Sequence, residues 1–306
     1  MNKKVSPITM DPSCTNIPPL LLEPIFTIKT FSGPISPISK MLGPISKMFG
    51  TPQKKKIICK PPSIPPPPVP KITISRETKH RLISDIKDII LNPLTSHGIY
   101  YIHDEENMLQ GSALIIGPSD TIYADGFFLF KFKMPHNYPY APPVVTFHTQ
   151  GDNIRFNPNL YRNGKVCLSI LNTWKGEQWT SCQTLRSVLL TLVTLFHNKP
   201  LLNEPGLTET YRDYKSYNKI IEFQNYKTAI FDLTSQKNLP VEFFSFYSII
   251  KKHFINHYDE INKRLEKHTE TEIEKVNVPL YNMKDVVIDY KKIKGQLYIL
   301  FHSFGP

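Results

Sequence analysis

Leu109-Gln-Gly-Ser-Ala-Leu-Ile-Ile116, Gly126-Phe-Phe-Leu-Phe-Lys-Phe-Lys133 and Val144-Val-Thr-Phe-His-Thr149 decide the fold. Each is short, rich in aromatic and β-branched residues, and bounded by turn residues, which is the pattern of a strand. Residues 98–102 form a further strand of the same kind. Gly117-Pro-Ser-Asp120 and Pro135-His-Asn137 supply turns between them. Parallel neighbours need a crossover of a dozen or more residues, so spacing this tight predicts an antiparallel meander.

Helices flank the strands on both sides in sequence. Residues 75–91 place Leu82, Ile86, Ile89 and Ile90 on one helical face, and Asn92-Pro93 ends the run. Residues 183–196 predict a strongly apolar helix that buries Leu185, Val188, Leu189, Leu192, Val193 and Phe196. Residues 211–235 and 241–267 read as two more amphipathic helices. Helix, four strands, then helices is an α+β arrangement, with helices segregated from an antiparallel sheet. Beyond residue 268, residues 286–290 and 296–301 read as short strands.

The chain's 306 residues suit about two domains of roughly 150 residues each. Sixteen of the 28 prolines fall in residues 1–72, which also hold ten lysines against Asp11 and Glu23. That stretch therefore carries +8 of the formal charge of +11. Proline blocks both helix and sheet, so residues 1–72 are expected to be a disordered basic tail. Within it, Pro37-Ile-Ser-Lys-Met41 recurs as Pro44-Ile-Ser-Lys-Met48, and residues 61–70 form a polyproline spacer or a ligand for an aromatic groove, with the spacer preferred. Lys54-Lys-Lys56 reads first as solvated charge and second as a nuclear address.

Because the charge sits in the tail, it is poor ground for nucleic-acid binding by the folded part. No apolar run approaches about 18 residues, so a membrane helix is not expected. The four cysteines show no CxxC pair and no histidine at zinc-ligand spacing, so neither a disulfide framework nor a metal is expected. Reduced thiols fit a soluble protein of the cytoplasm or nucleus. The expected division is 1–72 tail, 73–237 folded domain and 238–306 helical extension and tail.

Chemistry is concentrated in the long segment between the last strand and the apolar helix, residues 151–182. Singly, its Asn-Pro and Asn-Gly turns and a cysteine between Val166 and Leu168 are bland, since such a cysteine is usually a small buried hydrophobe. Together they carry more. Tyr138-Pro-Tyr-Ala-Pro-Pro143, Phe156-Asn-Pro-Asn159, Tyr161, Gly164, Cys167-Leu-Ser-Ile-Leu171 and Trp179 resemble the ubiquitin-conjugating enzymes. The tract from Gly117 to Gly126 resembles the family's Gly-Pro turn and following Tyr-x-x-Gly, and the likeness covers about residues 74–235. Thr173-Trp174 and Asn203-Glu-Pro-Gly206 extend it to the subgroup with a long loop after the cysteine. That subgroup includes the type Z conjugating enzyme and the giant inhibitor-of-apoptosis conjugating enzymes.

The resemblance implies a UBC-like fold and a specific chemistry. Cys167 would accept ubiquitin, or a ubiquitin-like modifier, as a thioester from an activating enzyme and pass it to a substrate lysine. Asn159, eight residues ahead of Cys167, would stabilise the oxyanion. Glu204 would orient or deprotonate the incoming amine, a role balanced evenly against that of a solvated loop carboxylate. Tyr140, Pro142, Thr180 and Ser181 fall where the family meets its ligase, but Thr180-Ser-Cys182 departs from the family's Ser-Pro-Ala, which puts a RING-type ligase in doubt. Asn157 replaces the family's usual histidine. Trp174 and Lys175, in the insert beside the cysteine, would contact the modifier or gate access, or Trp174 would simply pack on the domain. No cofactor is implied, because the activating enzyme consumes the ATP. The alternative reading is a non-catalytic ubiquitin-binding variant, which the presence of Cys167 together with Asn159 argues against.

Overall fold

Strands β1 (Ile99–His103), β2 (Gln110–Ile116), β3 (Phe127–Lys133) and β4 (Val144–Phe147) form one antiparallel sheet in sequence order in the computed structural model. It describes residues 74–268 and 270–305, all within one compact unit. The expectations for residues 1–72, including the repeat, the polyproline stretch and the lysine run, lie outside the described residues. Register pairs Ala113 with Phe130 and Phe130 with Phe147, so apolar side chains line up across three strands. The β2–β3 turn closes through Gly117, whose backbone lies so near Tyr123 that a Cβ would sit 1.9 Å from the Tyr123 carbonyl oxygen. Only glycine fits there.

Helix α1 (Arg76–Leu91) starts at Ser75, whose side chain accepts the Thr78 N–H, and buries Thr78, Leu82, Asp85 and Ile89. Ile90, expected on that face, is 68% exposed. It is next in sequence to the buried Ile89, and one residue turns the helix by about 100°. Helix α2 (Leu185–Val193) opens on a Thr184–Ser187 capping box and buries Leu185, Val188, Leu189 and Leu192. Phe196, just beyond it, stacks on Phe128 at 4.2 Å between ring centres.

Residues 211–235 do not make one uniform helix. Helix α3 (Tyr214–Gln224) passes into a π-helical stretch, Asn225–Asp232. That widening lets the buried Asn225 reach the β2–β3 turn and donate to the Ala124 carbonyl at 2.9 Å. Residues 241–267 are likewise broken, into a 3-10 turn Val241–Phe246 and helices α4 (Tyr247–Asn256) and α5 (Tyr258–Glu266), with His257 as the joint.

The C-terminal region is a second small sheet and a helix: β5 (Glu274–Val278) pairs with β6 (Met283–Ile288), followed by α6 (Tyr290–Ser303). Residues 296–301, expected to be a short strand, are helical. Ile299 is 70% exposed, and the buried set Tyr290, Ile293 and Leu297 follows helical spacing. Both faces of β3 are covered by apolar and aromatic contacts. Phe127 and Phe128 are both buried and point to opposite faces of β3. Phe196 covers one face, while His253 of α4 meets Phe127 edge-on at 5.7 Å on the other. One hydrophobic core runs from Leu82 to Leu297 and passes unbroken across position 237.

No described helix is long and apolar enough to cross a membrane.

Candidate active site

After β4 the chain folds into a tight irregular hairpin that accounts for the eight-residue spacing of Asn159 and Cys167. Phe156 is held at its base, where its carbonyl accepts the buried Tyr123 hydroxyl at 2.6 Å. Tyr161 and Lys165 close the turn through a 2.9 Å backbone bond, and Gly164 at φ +85° lets the chain reverse. Leu160 then bridges Val166, and the Cys167 N–H donates to the Asn159 carbonyl at 2.8 Å. The two residues therefore sit opposite each other on paired backbone.

The Asn159 side chain, 9% exposed, donates from Nδ2 to the Cys167 carbonyl at 2.7 Å. An amide nitrogen carries two N–H groups, and this bond uses one of them. Asn159 Oδ1 is buried without a partner. Asn157 braces the loop: Oδ1 accepts the Asn159 N–H at 2.9 Å, and Nδ2 donates to the Leu195 carbonyl. The same Oδ1 also accepts from Asn203 Nδ2 at 3.3 Å. His197 binds Asn203 Oδ1 at 3.0 Å through Nε2 and takes the Lys199 N–H on Nδ1. Neutral asparagines and a histidine thus connect the Asn159 loop to the Glu204 loop.

Cys167 is only 2% exposed, less open than its expected role requires. The insert closes over it. Cys167 Sγ donates to the Thr173 carbonyl at 3.3 Å. Thr173 Oγ1 accepts the Leu168 N–H at 2.9 Å and lies 2.9 Å from the Val166 carbonyl, to which it donates. Asn172, at φ +56°, turns the chain into this cover and accepts the Trp179 N–H at 2.8 Å. Trp174 and Lys175 are exposed on its outer side, and Trp174 accepts Gln178 only through its backbone carbonyl.

Tyr140, Thr180 and Ser181 come together at one end of the molecule. The Tyr140 hydroxyl binds Glu77 of α1, and Arg81 of α1 donates to the Ser181 carbonyl at 2.8 Å. Trp179 Nε1 ties the two loops by donating to the Pro139 carbonyl at 2.6 Å. Pro142 lines a groove of about 300 Å³ with Val144, Lys165, Leu171 and Thr173. Below this end, the buried Asp85 accepts from Arg81, from the Tyr138 hydroxyl and from the Leu185 N–H. Cys182 is an exposed free thiol two residues before the α2 cap.

Glu204 follows the 3-10 turn Pro200–Asn203, and its Oε2 accepts the Tyr281 hydroxyl at 2.6 Å. Burial, followed by the Glu204 carboxylate, raises the Tyr281 hydroxyl well above the ordinary tyrosine range, so it stays a donor. Sequence reasoning missed both Tyr281 and Thr173. Tyr281 stands in no recognisable motif and lies 77 residues from its partner, while Thr173 entered only as part of the subgroup likeness, with no role attached. The position of Thr173 inside the insert next to the cysteine was the only local signal.

Among the described residues, Asp125, His253 and His257 come close enough to suggest a metal, with donor atoms within 4.8 Å of one another. Arg264 already binds the same Asp125 carboxylate, which His253 meets at 2.7 Å, and its charge opposes a second cation. Burial raises the Asp125 carboxyl, but His253 and Arg264 outweigh it and hold the group below the usual carboxylate range. The cluster reads as an ion-paired fastening of α4 and α5 to the β2–β3 turn.

Comparison with known proteins agrees with this geometry. The sequence model of a family described as "Ubiquitin-conjugating enzyme" matches residues 81–228. "Ubiquitin-conjugating enzyme E2 Z" of Danio rerio is 41% identical over 182 residues, 58% of this chain and 54% of that protein. "Probable ubiquitin-conjugating enzyme E2 R521" of Acanthamoeba polyphaga mimivirus is 38% identical over 193 residues, 59% of this chain and 13% of its own length. The human "Dual E2 ubiquitin-conjugating enzyme/E3 ubiquitin-protein ligase BIRC6" is 45% identical over 121 residues, 37% of this chain and 2% of its own. The chain spans about half the length of the E2 Z relatives it matches.

Proposed function

We propose that the chain, whose residues 81–228 match the ubiquitin-conjugating enzyme family, is an active conjugating enzyme carrying its modifier on Cys167. The Cys167 thiolate attacks the thioester carbonyl presented by an activating enzyme, whose own cysteine leaves as thiolate. A substrate lysine then attacks the Cys167 thioester; the carbon–sulfur bond breaks and the amine proton is lost. A thiolate is a good leaving group, so neither metal nor bound cofactor is needed at this centre, and the ATP is consumed upstream by the activating enzyme.

The observation that carries this reading is the pairing of Asn159 with Cys167, with amide to carbonyl at 2.7 Å. Asn159 is the proposed donor to the thioester oxygen on which charge develops, and one well-placed donor is typically worth roughly 10²–10³ in rate. Glu204 is the candidate group that orients or deprotonates the incoming lysine, because an ammonium has no lone pair to attack with. Because the thiol is closed, loading requires the cover formed by Thr173 to lift. Trp174 and Lys175, on the outside of that cover, are the insert's candidates for touching the modifier. The end formed by Tyr140, Thr180 and Ser181 is the candidate ligase surface. The partners proposed are thus ubiquitin or a ubiquitin-like modifier, an activating enzyme, a ligase and substrate lysines.

Incubation with activating enzyme, ATP and ubiquitin should yield an adduct cleaved by thiols and absent in Cys167→Ala. Its absence from the unsubstituted chain with every activating enzyme and modifier tried would refute the reading. In Asn159→Ala, loading should persist while discharge to lysine slows by about two orders of magnitude. Equal loss of both steps would remove the oxyanion role.

A further inference from the structure

The C-terminal sheet packs its turn against the segments that carry Asn159 and Glu204. Between β5 and β6 the chain makes a 3-10 turn, Pro279–Tyr281, closed by Asn282 in the left-handed region. Residues of the family-matching region hold this turn from several directions. The Leu280 N–H donates to the buried Asp213 carboxylate at 3.0 Å. The Arg162 guanidinium donates to the Tyr281 carbonyl. The Tyr281 ring lies 4.4 Å from the Arg155 guanidinium, whose distance to the Tyr161 ring is 3.9 Å, and its centre is 5.5 Å from that of Tyr217. Arg155 and Tyr161 flank Asn159 in the hairpin, so one stack joins the Asn159 loop to the C-terminal turn.

From this fixed platform the buried hydroxyl of Tyr281 points at Glu204. We propose that Tyr281 is a positioning residue for lysine transfer, holding the Glu204 carboxylate in place for the incoming amine. This rests on the conjugating-enzyme reading above and refines how its lysine step is controlled. A glutamate on a loop has three side-chain torsions to fix, and ordering them costs conformational entropy. The bond from Tyr281 to Oε2 fixes one oxygen and leaves Oε1 for the ammonium. Asn203, adjacent in sequence, is fixed from the other side by Asn157. The carboxylate is thereby braced between the Asn159 loop and the C-terminal turn, and amine attack becomes dependent on residues 279–281.

The test compares two nucleophiles in single-turnover discharge of the preloaded full-length thioester. Free lysine must lose a proton to attack, whereas hydroxylamine is largely neutral at neutral pH. Tyr281→Phe keeps the ring on Arg155 and removes only the hydroxyl. It should slow lysine discharge about tenfold, the scale of one hydrogen bond to a charged group, and leave loading and hydroxylamine discharge within about twofold. Tyr281→Met should lose the same lysine selectivity while also lowering the melting temperature. Glu204→Gln should lose it too, and combining it with Tyr281→Phe should cost nothing further. A role in folding alone would slow both nucleophiles equally, and that result, or an unchanged lysine rate, overturns the proposal. Failure of the unsubstituted chain to load at all instead overturns the conjugating reading, and this inference falls with it.

Discussion

Replacing Thr173 with valine keeps the shape of the cover over Cys167 and removes the hydroxyl that pins it. That hydroxyl accepts the Leu168 N–H at 2.9 Å and donates to the Val166 carbonyl at 2.9 Å. Two intramolecular hydrogen bonds of about 1 kcal/mol each are lost from the closed state, whereas in the open state the same groups bond to water. Closure is then weakened by about 2 kcal/mol, or about thirtyfold in the open population. Where opening and closing outpace the chemistry, alkylation of a buried thiol follows that population. Iodoacetamide labelling of Cys167, measured at the peptide level, should accelerate ten- to thirtyfold in Thr173→Val. Exposed Cys182 should be unchanged and serves as the internal standard. If Cys167 labels as fast as Cys182 before substitution, or its relative rate does not move after it, the cover is not what closes the site.

Two further outcomes test the frame around it. Asp85→Ala strips an acceptor from Arg81, the Tyr138 hydroxyl and the Leu185 N–H in a buried setting. It should lower unfolding stability by about 3 kcal/mol, seen as a shifted urea midpoint with unchanged slope. Stability should also fall on acidification from pH 7 to about 5. Burial holds His103 and His148 below the usual histidine range, so the unfolded chain takes up protons first as pH drops through about 6.5. A combined His103→Gln, His148→Gln variant should flatten calorimetric melting temperature across that window. A variant as pH-sensitive as the parent would show that other groups govern it.

The sheet was legible because each strand announces itself over four to eight residues and its neighbour follows within one turn. The order and antiparallel sense of β1 to β4 needed nothing from outside residues 98–149. Helix ends and continuity were less legible. Apolar spacing shows that residues 211–235 and 241–267 coil, but the switch to π-helix at Asn225 answers a need of the distant Ala124 carbonyl. Residues 296–301 were misread because a short unbroken apolar run, Leu297 to Phe301, fits a strand or a helix equally until packing decides. In the site, Asn159 and Cys167 were legible because their pairing is local, a hairpin in which spacing fixes contact. The closure by Thr173 and the hydroxyl of Tyr281 depend on where whole segments pack, and single-sequence pattern carries no record of that.

The single core spanning Leu82 to Leu297 has a thermodynamic corollary. Phe243, Phe246 and Phe254 are as fully sequestered as Phe128 or Leu189, so the final third of the chain cannot melt while the rest stays intact. Heating should produce a single calorimetric peak whose van't Hoff and measured enthalpies agree for residues 74–305. Clipping the chain after Gln236 would strip apolar cover from β3 and leave a sticky remnant rather than a minimal catalyst.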